Sequence, residues 1–473
     1  MPLLFLILAF FLVFVLSQRS IALGIMGAIG IGYFSGIVRA NFQSIATTFF
    51  FDVGVFALYL SVFLGHTPKL KKAIYSQSGQ FVLILIFWPI FLSLIPINNF
   101  YVQLVALRGN VWLLPFLIIA TLLKKEDVFV IARGFAILNV VAMIVGIYIY
   151  FNGVESLYPI NDVTRVIYGS KDVVGGRYRI PSIFLSAHAY GGTMVLTLPF
   201  LLGAFAYYNR SIFERALMVA GIAGAISGIL FCAARQPIWV LGLIMVSTWV
   251  QTGLSPKVGI ILALFLGSGL YAMSGNERFQ RGISLEVGDG DKNYTFNRIY
   301  GSVNEELFDT ILAYPLGAGM GTSVGTSIPY FLSDYQPIPI GAENEYSRIA
   351  VDQGWVGLGC WLAFLFWSHY PFPSARSPSQ AFLLRMLHST TGLYWATAFI
   401  GTGTLTSIPS SAIMLLSMGI IVSQRESEKR HTRLKNKRRH RREVLRHERA
   451  RQLPVPDFQP QVEPSAVVVS ESG

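Results

Sequence analysis

Thirteen long apolar stretches, separated by polar connections, dominate the chain and limit what it can fold into. They fall at about 2–17, 20–38, 44–64, 80–97, 108–123 and 128–151, then at about 188–207, 216–232, 238–252, 258–273, 353–369, 387–402 and 409–423. Runs of this length match the hydrocarbon core of a bilayer, where a helix satisfies its own backbone polar groups. A water-soluble fold would need charge to cover them, yet 13% of the 473 residues are charged and 53% are hydrophobic. The expectation is an all-α polytopic integral membrane protein with about 12-13 transmembrane helices and a large outer loop capping the bundle. The 44 glycines fit, because small residues let membrane helices approach closely. No repeat period or inverted halves are evident. Met1 to Leu16 lacks a basic leading region, and Ser17-Gln18-Arg19-Ser20 is no small-residue cleavage site, so this stretch reads as a retained span. Cys232 and Cys360 lie in apolar runs and read as small buried residues rather than metal ligands.

Basic residues set the expected orientation. Lys69, Lys71 and Lys72, then Lys124 and Lys125, Arg210 and Arg215, Lys257, and Arg376 with Arg385 fall on one side if every stretch crosses. Short basic connections stay in the cytoplasm. The expected organisation is a helix bundle over 1–423, a first outer loop at 152–187, a large outer loop at 274–352 and a cytoplasmic tail at 424–473. Within the large loop, Leu307 to Leu312 has helical character and Tyr314 to Gly321 is a turn-rich breaker. Between Gln424 and Arg451 the tail carries thirteen Lys/Arg against four Asp/Glu, net +9, and Pro454 to Gly473 is Pro-, Val- and Ser-rich and expected to be disordered. The basic run suits an anchor on anionic membrane lipid or a partner-docking segment. Its position directly after a membrane stretch argues against nucleic acid.

Arginines on the outer side have no topological reason to exist. Arg39, Arg108 and Arg235 lie in short, otherwise apolar connections or helix ends, and Arg177 and Arg179 close the first outer loop. Each alone could snorkel or hold a structural partner; several converging on one face favour an anionic ligand, since the planar guanidinium matches phosphate oxygens. The large loop is acidic, with ten Asp/Glu against five Lys/Arg over 274–350, and among the five are Arg298 and Arg348. Glu343 and Glu345 directly precede an apolar stretch. There a carboxylate can act as a general base, or simply favour the start of a helix.

Three elements together resemble the O-antigen ligase and polysaccharide polymerase superfamily. They are Tyr314-Pro315-Leu316-Gly317-Ala318-Gly319-Met320-Gly321, then Glu343-Asn344-Glu345-Tyr346-Ser347-Arg348, then Asp352-Gln353-Gly354-Trp355-Val356-Gly357. Members carry a proline-leucine-glycine-x-glycine element, a histidine-asparagine element, and an acidic residue beside a glycine about eleven positions on. Glu343 and Gly354 are eleven apart, and Arg298 lies seventeen residues before Pro315 like the family's loop arginine. Arg235, after Ala233-Ala234, is similar to its short-loop arginine, and Arg108 to one in an early outer connection. The likeness covers about residues 80–420 and omits the basic tail. One departure matters: Glu343 stands where the ligases carry histidine, which favours the polymerase branch. His188, near a helix start, is a weaker candidate base.

The resemblance implies a membrane glycosyltransferase acting on a polyprenyl-diphosphate-linked oligosaccharide at the outer leaflet of a bacterial cytoplasmic membrane. It implies Glu343 as the catalytic base and a diphosphate site among Arg108, Arg235, Arg298, Arg177, Arg179 and Arg348. Tyr346, Trp355 and Glu345 would meet the acceptor sugar. No cofactor or metal is expected, and Asp289-Gly290-Asp291 reads as a solvated loop. Partners would include a chain-length regulator or export proteins. Two other classes stay open: an exporter of lipid-linked oligosaccharide, which usually shows repeats and broken helices at mid-membrane, and a scaffold acting through the tail.

Overall fold

The computed structural model describes residues 2–169, 178–207, 211–252, 307–323, 328–335, 340, 344–370 and 378–452, and the statements below concern these. Apolar runs of this length leave the chain little choice but helix. In order they are α1 (Pro2–Arg19), α2 (Ile21–Asn41), α3 (Ile45–Thr48), α4 (Phe50–Ile74), α5 (Gln77–Ser93), α6 (Phe100–Val111), α7 (Pro115–Ala120) and α8 (Lys125–Asn152). Then follow α9 (Arg165–Gly169), α10 (Ala187–Tyr207), α11 (Ile212–Phe231), α12 (Arg235–Thr252), α13 (Leu307–Ala313), α14 (Glu345–His369), α15 (Pro378–Thr397) and α16 (Ser410–Gln452). Eight helical segments are long and apolar enough to cross a membrane, α6 and α7 counting as one, and α5 and most of α12 form shorter apolar helices. The chain is an all-α, multi-pass membrane protein. The stretch at 258–273 lies outside the described residues.

Side chains at the starts of helices close their first turns. Ser20, Ser44, Ser76, Asn99, Ser211 and Asn344 each accept a backbone N–H of the helix that follows. Small residues then set the closest approaches. A Cβ at Gly221 would lie 2.6 Å from the Ala136 backbone, and one at Gly224 2.7 Å from the Asn139 carbonyl, so α8 and α11 touch main chain to main chain. Buried polar groups tie further helices together: Tyr33 donates to Asn139, whose amide donates to Thr197, linking α2, α8 and α10.

The short connections make neighbours antiparallel and sort charge to the two ends. Lys69, Lys71, Lys72, Lys124, Lys125 and Arg215 gather at the end where α4 finishes and α8 and α11 begin. Arg133 pairs with Glu214 there, and Arg425 donates to the carbonyls of Trp367 and Tyr370 at the close of α14. The opposite end holds the end of α8 at Asn152 and the start of α10 at Ala187. It also holds the start of α14 and the turn between α15 and α16.

Three described spans are interrupted, α4 among them, with a kink at His66 (φ −132°, ψ 22°) ahead of Pro68. α6 and α7 are separated by a turn at 112–114, where Tyr59 donates to the Trp112 carbonyl. α14 bends at Gly354 (φ 66°, ψ −167°), a conformation open to glycine alone. α14 also begins eight residues before the apolar stretch expected from 353, because its polar first turns are paired inside the bundle. A first compact unit spans Met1–Arg425; in the second, Glu426–Gly473, the basic residues to Gln452 are helical.

Candidate functional site

The glycine-rich element and the start of α14 form one local structure. The bend at Gly354 releases helix groups from their usual partners, and the segment around Pro315 takes them up. Ala318 N–H donates to the Val351 carbonyl (2.7 Å), and Trp355 N–H donates to the Pro315 carbonyl (2.9 Å). The Trp88 indole N–H donates to the Gln353 carbonyl (2.8 Å). Gly317, Gly319 and Gly321 all have positive φ. A Cβ on Gly354 would lie 2.4 Å from the Leu316 carbonyl carbon. Bare backbone on both sides is therefore a steric requirement, which explains why the two glycine elements occur together.

Above the bend lies a closed ionic clasp. Glu345, Arg348 and Asp352 follow one another at i, i+3 and i+7 along α14, and all three side chains are fully buried. Arg348 reaches Glu345 (Nη2–Oε1 2.7 Å) and Asp352 (Nη1–Oδ2 3.4 Å), and donates to Asn110 Oδ1 (3.1 Å). The other oxygen of Glu345 accepts the backbone N–H groups of Gly403 (2.8 Å) and Thr404 (3.0 Å). Asp352 accepts from Ser323 N–H, and Gln353 donates to Asn110. Two carboxylates thus share one guanidinium, with backbone donors taking the excess charge. Such a set tolerates burial only as a complete unit.

A second ionic group stands at the same end. Arg108, in the last turn of α6, makes a two-pronged pair with Asp52 in the first turn of α4 (Nε–Oδ1 2.7 Å, Nη2–Oδ2 2.6 Å) and lies 5.6 Å from the centre of the Phe49 ring. Their side chains are 24% and 11% exposed. Arg39, in the last turn of α2, lies in the field of Arg108, Asp52 and Tyr330. It has no hydrogen-bond partner at Nε, which is buried.

The remaining residues singled out by sequence fall around these groups. Ala233, with φ 47°, turns the chain from α11 into α12, so that Arg235 is the first residue of α12. The next residue, Gln236, donates to Thr397 (3.0 Å), one residue before the Ala398 carbonyl that accepts Glu345 N–H. The Arg235 backbone is therefore beside the start of α14; its side chain lies outside the description. Arg179 donates to His188 Nε2 (2.9 Å), which occupies that nitrogen's lone pair and weakens His188 as a base. Gly191 brings α10 against Cys232 and Pro237, so this pair stands at the same end as Arg235. Glu343, Arg298 and Arg177 lie outside the described residues, and Glu343 is bonded to Asn344, the residue that caps α14.

Three expected contacts with substrate face inward. Glu345 and Arg348 are spent on the clasp, and Tyr346 is buried, stacked 4.1 Å from Phe399 with its hydroxyl on the Trp395 carbonyl. Trp355 differs: it is 55% exposed while its indole N–H donates to Ile311. Sequence reasoning missed Asp52 and Asn110. Asp52 had a signal, a lone carboxylate inside an apolar run; Asn110 had none beyond its place two residues after Arg108. Among the described residues no group of His, Cys, Asp and Glu is arranged to hold a metal ion. No protein-family model matches the chain, and no curated protein is similar to it in sequence.

Proposed function

We propose that this chain is a glycosyltransferase of the bacterial cytoplasmic membrane that extends, or transfers, a surface polysaccharide from a polyprenyl-diphosphate-linked oligosaccharide. The observation that carries the proposal is the gathering at one end of the bundle of Arg39, Arg108, Arg179, the backbone of Arg235 and the start of α14 next to Glu343. The other end holds the lysines and the exit to the basic tail, which by the positive-inside rule faces the cytoplasm. The arginine end then faces outward, where a polyprenyl tail lies among helices and its diphosphate sits at the interface.

Glu343 takes the proton of an acceptor hydroxyl. The oxygen attacks the anomeric carbon from the face opposite the diphosphate, and the C–O bond to the diphosphate breaks with its electron pair leaving on phosphate. The anomeric configuration inverts. Arg235 and Arg298 offset the charge on the leaving diphosphate without a metal. Arg108, Arg177 and Arg179 line the approach, Arg348 holds the α14 start, and Trp355 offers a ring for a sugar. The tail anchors on anionic lipid, and a chain-length regulator or export protein would receive the product.

Single-turnover extension by purified protein, supplied with a lipid-linked oligosaccharide, tests this. The expected result is a product longer by one repeat; no product from well-folded protein would refute it. One observation favours a second class. The interruption between α6 and α7 and the bend in α14 meet at Asn110, and broken spans around buried polar groups are a transporter trait. Movement of the same substrate across a liposome membrane without extension would select that alternative.

A further inference from the structure

The Arg39–Arg108–Asp52 corner has an unbalanced charge. Asp52 is fully committed to Arg108 through both oxygens. Arg39 is left beside this neutral pair with no hydrogen bond or ion pair among the described residues, its Nε buried and unmatched. A guanidinium in the last turn of a helix gains something from the dipole, and that accounts for its sign. The Nε of Arg385 is orphaned in the same way; what sets Arg39 apart is a second arginine beside it whose carboxylate partner is already taken on both oxygens. The corner is net +1, and the missing partner is an anion.

The surroundings indicate what carries that anion. Phe56, one turn along α4 from Asp52, and Leu104, one turn from Arg108 on α6, are exposed apolar side chains. Phe42, directly after α2, and Ile45, which opens α3, are also exposed. An apolar chain can lie along this surface while its head meets Arg39. Planar guanidinium groups favour tetrahedral oxyanions through paired N–H donors. We infer that Arg39, backed by the Arg108–Asp52 pair, is a binding site for the phosphate group of a lipid-anchored molecule, separate from the position of Arg235. Two sources offer this chemistry, an anionic bilayer phospholipid and a prenyl diphosphate. The inference shares Arg39 and Arg108 with the end of the bundle on which the proposed function rests, and it relies on that end facing outward.

The test is calorimetric titration of farnesyl diphosphate into the full chain held in phosphatidylcholine nanodiscs, repeated in nanodiscs containing phosphatidylglycerol. Arg39→Gln is expected to weaken binding about tenfold or more, the scale of one charge-assisted contact. Asp52→Asn, which removes the competing carboxylate, is expected to tighten it. Weaker apparent affinity in phosphatidylglycerol assigns the site to phospholipid headgroups; unchanged affinity assigns it to the prenyl diphosphate. Wild-type affinity in folded Arg39→Gln overturns the inference, as does an absence of binding by the wild type. If Arg39→Gln does not fold, Asp52→Asn decides, and unchanged or weaker binding there overturns it. Loss in Arg235→Ala alone removes this site and leaves the proposed transfer intact. Loss in Arg39→Gln alone keeps this site and removes Arg235 from donor binding.

Discussion

The two ionic groups at the arginine end are built from the same residue types in inverse proportion. In the clasp, Glu345 and Asp352 share Arg348; in the corner, Asp52 pairs with Arg108 alone and Arg39 stands in the field of that pair. The clasp has one carboxylate in excess, and it is closed by the backbone of Gly403, Thr404 and Ser323 and by the Asn110 amide on Arg348. The corner has one guanidinium in excess, and its buried Nε has no acceptor among the described residues. Charge alone does not distinguish structure from binding. Counter-charge does: Arg348 is held by two carboxylates and the Asn110 oxygen even though its Nη2 makes an ion pair and no hydrogen bond, whereas Arg39 has no ion pair among the described residues.

Removing the clasp's only cation should have the largest effect. Arg348→Met leaves two buried carboxylates without a counter-charge, a loss of about 3–5 kcal/mol for a broken buried pair. The expected outcome is failure to accumulate, or a large fall in melting temperature in detergent. Near-normal stability would mean that the clasp opens to water. Gly354→Ala should cost about 3 kcal/mol, because an alanine cannot hold φ 66° with ψ −167° and its Cβ would meet the Leu316 backbone. Melting temperature checks this too, and Gly359→Ala, where no atom lies within 4 Å of a Cβ, is the neutral control. Trp355→Phe should cost about 1 kcal/mol through one lost hydrogen bond to Ile311. If Trp355 also stacks on a sugar, the Michaelis constant for the acceptor rises while stability barely moves.

Much of the bundle was legible because hydrophobic length is a local property. The limits of α8 and α10 around 152–187, the short helix Leu307–Ala313 and the turns at Gly317 to Gly321 all follow from composition and spacing. The clasp was not legible, because its pairings are distant: Arg348 and Asn110 are 238 positions apart. Polar residues at 345–352 looked like the end of a loop, whereas paired with one another they can enter the bundle as helix. The same blindness made Glu345 look like a contact for the acceptor sugar. Its side chain holds an arginine and two backbone amides.

That difference gives the most direct test, in which turnover and melting temperature are measured on the same preparations of Glu343→Gln and Glu345→Gln. Glu343→Gln keeps size and hydrogen bonding but loses basicity. Its turnover of lipid-linked oligosaccharide should fall on the order of 100-fold or more, with melting and donor binding unchanged. Glu345→Gln should lower melting temperature, and turnover per folded molecule should hold nearer to normal. Near-normal turnover in Glu343→Gln, or a greater loss per folded molecule in Glu345→Gln, would contradict the assignment of Glu343 as the base.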